Sequence, residues 1–211
     1  MTLNAWWSPG LGPSGGKASR LRPACYDIAV TRDAIEIRRL DPVEARAELD
    51  RLAAVLADCV RGGASVGFLA PFTHEDAVAA FEGFVAEAER GSRLILAAFD
   101  DGELVGTAQV ILALPPNQPH RGEIAKVLVR RSARRRGVAW QLMERAEAEA
   151  RAEGKTLLVL DAVTGGPAES LYEAMGWTRV GVIPDFALYP DGRPCATTYF
   201  WKSLGGLVGP R

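Results

Sequence analysis

With 211 residues, 48% of them apolar and 24% charged, the chain suits one compact domain with a sizeable core. Its net charge of −1 leaves no global field to recruit nucleic acid or an acidic membrane, so binding has to be local. Cys25, Cys59 and Cys195 are odd in number and lack CxxC spacing, which fits a reducing cytosol, and the two histidines, His74 and His120, are too far apart to suggest a metal cluster.

Residues 1–33 are rich in Gly, Pro and Ser, and their longest apolar run is too short for a signal-peptide core or a membrane span. They read as a flexible arm. Trp6 and Trp7 could anchor it on a neighbouring subunit, giving a homodimer; an aromatic pair within a disordered tail is the plainer reading. Order is expected from 34 to 204, with 205–211 as a short tail. AIEIRRL alternates like a strand, and after Pro42 the stretch VEARAELDRLAAVLADCVRGG reads as one amphipathic helix ended by glycine. Thr73 caps a second helix, HEDAVAAFEGFVAEAERG, with an acidic first turn. LILAAFD and ELVGTAQVILAL flank Asp101-Gly102, a strong hairpin signal. After PPNQPHRG comes a strand from Glu123, then a helix to Gly154, the buried strand TLLVLD, a short helix PAESLYEAMG, and a final pair of strands, WTRVGVI and ATTYFWKSL. The order βααβββαβαββ predicts an α/β three-layer sandwich, with helices on both faces of a mixed, strongly twisted sheet of about seven strands.

The most informative stretch is Glu123–Ala139, EIAKVLVRRSARRRGVA, in which an apolar strand runs into a basic, glycine-closed turn that opens a helix. Backbone N–H groups at a helix start carry partial positive charge and lack internal partners, so an anion with several oxygens can satisfy them together. Gly137 and Ala139 keep that surface bare, and glycine tolerates the unusual φ such a loop needs.

Arg134-x-x-Gly137-x-Ala139 after a strand resembles the acyl-CoA pyrophosphate loop of the Gcn5-related N-acetyltransferases (GNAT), with alanine in place of the common last glycine. Tyr172 and Gly176 are spaced as in that family's YxxxGF/W signature, and the run RVGVIPDFALYPDG is most similar to the tabtoxin-resistance type. The resemblance covers roughly residues 34 to 204. It implies the GNAT fold and acetyl-CoA as cosubstrate, without a metal. It also implies that the Val127 N–H points toward the thioester carbonyl beside a local splay of the sheet. Leu128 and Val129 would meet the pantetheine arm through their main chain, and Arg134, Arg135, Arg136, Gly137, Val138 and Ala139 would hold the pyrophosphate. Many family members carry a cofactor-positioning asparagine where this chain has Gly165, a glycine that relatives of the tabtoxin-resistance type share.

Acetyl transfer to an amine requires a neutral amine, and an alkyl ammonium has a pKa near about 10, so a base must take its proton directly or through water. Glu123 stands eleven residues before Arg134, where several family members place a basic carboxylate, and Asp161 ends the adjoining strand, where relatives also carry an acid. The alternatives are that Glu123 only pairs with a nearby arginine and that Asp161 caps the following helix. Tyr172 takes the acid role by resemblance, against the alternative of a core tyrosine. The expected activity is acetyl transfer to the primary amine of a small molecule, amino-acid-like or an antibiotic, by direct attack in a ternary complex; a protein N-terminus or lysine is the other enzyme reading, and a noncatalytic acyl-CoA-binding module the reading of another class. Nucleic-acid and membrane partners are not expected, and the expected compartment is the cytoplasm.

Overall fold

The computed structural model describes residues 35–205. The arm at 1–33, with Trp6, Trp7 and Cys25, and the tail beyond Gly205 lie outside the described residues.

Seven strands form one sheet in the order β1-β2-β3-β4-β5-β7-β6. Strands β1 (Glu36–Leu40), β2 (Arg93–Asp100), β3 (Glu103–Ile111) and β4 (Arg121–Val129) pair in succession, each antiparallel to the one before. β5 (Leu157–Val163) lies parallel to β4, and the β6 (Thr178–Leu188) and β7 (Pro194–Ser203) hairpin closes the far edge antiparallel to it. The β2–β3 connection is the expected tight hairpin. Asp100 pairs with Glu103, and Asp101 and Gly102 both take positive φ, 50° and 74°, the twist that a two-residue turn needs to match its strands.

Two apolar clusters account for the three layers. Helices α4 (Val138–Ala152) and α5 (Pro167–Ala174) cover one face through Val138, Leu142, Met143, Ala146 and Tyr172, packed on Leu158, Leu160 and Phe200. Helices α1 (Pro42–Ala47), α2 (Leu49–Arg61) and α3 (His74–Glu89) cover the other through Ala45, Leu52, Leu56, Phe81 and Val85, packed on Ile95, Ala97 and Phe99. α1 and α3 each start on a reciprocal capping box, Asp41 with Glu44 and Thr73 with Asp76, which satisfies two orphan backbone donors per helix. Cys59 and Cys195 are buried as free thiols.

Two elements differ from the expectation. The stretch after Pro42 is two helices, bent at Glu48, whose φ of −91° and ψ of 6° leave the helical range while the backbone bonds Glu48 N–H to Glu44 O and Leu52 N–H to Glu48 O persist. Apolar spacing registers which residues face inward and does not encode such a bend. The second difference is β6, which continues through Pro184 to Leu188 instead of stopping at Ile183. It is an edge strand, where proline's missing N–H is tolerated, and the register slips between Ile183 and Ala187 with Asp185 at φ 50°.

Candidate active site

β4 supplies most of the site because both of its edges are irregular. Against β3 the register passes from Gln109–Ala125 to Thr107–Leu128, so Lys126 and Val127 together oppose Ala108 in a bulge, with Lys126 at φ 50°. Against β5 the pairing covers only Arg121, Gly122 and Glu123. Beyond Glu123 the two strands part, and along Val127, Leu128 and Val129 no strand pairs with β4 on its β5 side among the described residues.

The carboxylates flank this opening. Glu123 is paired with Val159, and Asp161 stands two residues further along β5, so both project from the same face of the sheet. Glu123 has Arg121 at 3.5 Å, an ion pair open to solvent that leaves the carboxylate accessible. Asp161 keeps contact with solvent, yet close packing of the protein around its carboxyl, and then the neighbouring Glu123 charge, lifts its pKa above the usual range; Lys126 partly opposes this. Asp161 does not cap α5, whose N-cap is Gly166; the Gly165 N–H instead donates to Glu169 at 2.8 Å.

Tyr172 approaches from the other helical layer. It is 5% exposed, with its ring 6.1 Å from Trp177 and 5.8 Å from Phe200, so it is a core residue in its packing. Burial, and then the Asp161 charge, raise its pKa well above that of an ordinary phenol, which keeps the hydroxyl protonated. Tyr199, paired with Asp161 across β5 and β7, is a second phenol there. Its pKa is raised by burial and by Asp161 and Glu123.

The loop after β4 forms a set of free donors. Gly137, at φ 78°, turns the chain into α4, and the backbone N–H groups from Arg135 to Trp140 have no acceptor among the described residues. The side chains around them divide into two groups. Arg136 is held by both oxygens of Asp100, at 2.6 and 2.9 Å, and Arg131 by Asp58, at 2.9 and 3.0 Å. Arg134 donates through Nε to Val129 O at 3.2 Å, and Arg135 makes no side-chain bond among the described residues. The pyrophosphate donors expected from Arg134–Ala139 therefore include a run of backbone amides, with Arg136's guanidinium already engaged in a bidentate pair.

Two segments bound the carboxylate side of the opening. The α2–α3 loop is tied to the β6–β7 hairpin by Ser65 Oγ donating to Leu188 O, 2.7 Å, and by Ala70 N–H donating to Pro190 O, 2.8 Å. Phe68 of that loop packs at a tilt against Phe72, ring centroids 4.6 Å apart, and Phe186 of β6 meets Tyr199 edge to face at 5.7 Å. Lys126 lies between these parts, its Nζ 5.7 Å from the Phe68 ring and 5.9 Å from that of Phe84. Sequence reasoning missed Lys126 and Tyr199. A lysine within an apolar strand points unpredictably when a bulge intervenes, and Tyr199 stands beside Asp161 only through cross-strand pairing.

Asp161 yields a stability prediction. Its folded pKa is raised, so its contribution to stability is full below its unfolded pKa of about 3.9 and is lost as pH rises through the folded value. Asp161→Asn should therefore melt above the wild type at pH 8, with the gap closing toward pH 4. Thermal melts at the two pH values test this, and a lower melting temperature at pH 8 would show that the carboxylate stabilises the fold.

The acetyltransferase (GNAT) family model matches residues 49–177. Several solved structures share the fold. YncA from Salmonella typhimurium, solved with its cofactor acetyl-CoA, superimposes with a TM-score of 0.69 at 20% identity, over 85% of this chain and 99% of that one. A ribosomal-protein-alanine N-acetyltransferase from Brucella melitensis gives 0.68 at 22% identity, over 80% and 99%. An aminoglycoside 6'-acetyltransferase type Ii gives 0.59 at 20% identity, over 83% and 99%.

Proposed function

The chain belongs to the GNAT family of acetyltransferases, and from that premise we propose that it acetylates the primary amine of a small molecule by direct attack within a ternary complex. The observation that carries this reading is the junction of three features where β4 parts from β5: a β4 edge that no described strand pairs, a run of free amides from Arg135 to Trp140, and the two carboxylates Glu123 and Asp161, with Tyr172 feeling the Asp161 charge.

The donor set fits acetyl-CoA. The amides of Arg135–Trp140 suit the pyrophosphate, the β4 edge at Val127–Val129 suits an extended amide-bearing arm, and Gly137 with Ala139 leaves the approach bare. When bound, acetyl-CoA supplies an activated acyl group on a thiol leaving group. Glu123, accessible and paired only loosely with Arg121, takes the proton of the incoming ammonium, directly or through water. Asp161 adds negative charge that draws the cation in, and its raised pKa brings it toward the range in which it can share the base role. Tyr172 keeps its proton until the carbon–sulfur bond breaks and then transfers it to the departing thiolate, the resulting phenolate being reprotonated from solvent before the next turnover. The Val127 amide, in the bulge, is the donor for the oxyanion.

Glu123→Gln keeps the shape and removes the basicity. Scored by release of free thiol across an amine library, its rate should fall about tenfold or more near neutral pH, and the deficit should narrow as pH rises and free amine becomes abundant. A deficit independent of pH would leave Glu123 a structural partner of Arg121.

A protein N-terminus is the second reading. It is favoured by the apolar rim of β6, where Val180, Val182, Ile183 and Phe186 are exposed beside the opening's boundary. Faster turnover of unstructured peptides than of free small amines would establish it.

A further inference from the structure

Lys126 occupies a costly position. It takes a left-handed backbone conformation, φ 50°, that non-glycine residues rarely adopt, inside the bulge of the strand that carries Glu123. Its side chain is half-buried, with the ammonium 5.7 Å from the Phe68 ring and 5.9 Å from that of Phe84. It makes no hydrogen bond or ion pair with any described residue, although Glu123 and Asp161 lie within its electrostatic reach. Burial, and then the buried Arg93, push its pKa down, so the charged form is held at a cost. Arg93 does not relieve it. That guanidinium is bound to Glu87 at 2.7 Å and to Gln109 Oε1 at 2.6 Å, which leaves the Gln109 Nε2 as a buried donor without an acceptor in the same wall. Lys126 thus sets an ammonium without a hydrogen-bonded partner among the described residues near the negative charge of Glu123 and Asp161, with the paired Arg93 adding positive potential behind it.

We propose that Lys126 is a specificity residue for the acceptor: it takes a carboxylate carried by the same small molecule whose amine faces Glu123 and Asp161. This rests on the acetyltransferase reading above and narrows its acceptor to amino acids and their close analogues. A zwitterion matches the two charged sides at once. A polyamine or an aminoglycoside would set a second cation against Lys126 with Arg93 behind it, and a peptide N-terminus would bring no carboxylate at that distance.

The test compares α-amino acids with matched amines lacking the carboxylate, using acetyl-CoA and the full-length protein. Wild-type kcat/KM should favour the amino acid by about 10- to 100-fold, mainly through KM, the range expected for a charge-assisted contact in a partly dry site. In Lys126→Met that ratio should collapse toward unity, and Lys126→Arg should restore part of it, a pattern that a merely structural lysine would not produce. Equal or better turnover of the carboxylate-free amines by the wild type, or an unchanged ratio in Lys126→Met, overturns the proposal. So does a wild type that binds acetyl-CoA by calorimetry but neither turns over any amino acid nor shifts its melting temperature with one. Failure to bind acetyl-CoA at all would instead remove the acetyltransferase reading on which it rests.

Discussion

Tyr172→Phe should lower kcat by about 10²-fold, the lower end expected for loss of a general acid, with little change in acetyl-CoA affinity or melting temperature. The ring is buried against Trp177 and Phe200, and phenylalanine keeps that packing. The hydroxyl makes no hydrogen bond with the described residues, so its removal leaves no buried partner unsatisfied. Because burial and Asp161 hold the phenol's pKa well above its ordinary value, the wild-type donor stays protonated across the working range, and the deficit should not vary with pH. Tyr199→Phe is the necessary companion, since that phenol also feels Asp161 and Glu123. A large loss in Tyr199→Phe with near-normal turnover in Tyr172→Phe would transfer the acid role to Tyr199 and leave Tyr172 as a core residue.

Gly137→Glu should weaken acetyl-CoA binding by on the order of 10²-fold in a protein that still folds. A side chain at φ 78° costs about 1–2 kcal/mol in backbone strain. The space itself is open: an added Cβ would meet only Gln141 Nε2, at 3.9 Å. The new carboxylate would stand among the free amides of Arg135–Trp140, where it would compete for the same donors and repel a pyrophosphate. Gly137→Ala separates the two causes, carrying the strain without the charge, and should lose far less affinity. Calorimetry with acetyl-CoA reads both. Unchanged affinity in folded Gly137→Glu would place the cofactor's phosphates elsewhere.

Local chemistry made much of the fold legible. The Asp101-Gly102 turn, the caps at Asp41 and Thr73, and the alternating and helical apolar periods each depend on a few neighbouring residues, so they could be read in order along the chain. The phosphate-loop resemblance was legible for the same reason: a strand, a positive-φ glycine and a helix start are contiguous in sequence. The two misreadings, the bend at Glu48 and the extension of β6 through Pro184, occur where a neighbouring element decides the geometry.

What the sequence by itself determined was the identity and spacing of Glu123, Asp161, Tyr172 and Gly137, and the order of strands and helices that carry them. The tertiary structure decided which charges meet. Asp58 and Asp100 are remote in sequence from the arginine cluster, yet they engage Arg131 and Arg136. β4 parts from β5 after Glu123, Asp161 feels the Glu123 charge across that gap, and the bulge at Lys126 sets an ammonium within electrostatic reach of both carboxylates. Burial and Coulomb interactions depend on distance in space rather than along the chain, so these couplings exist only once the sheet has formed.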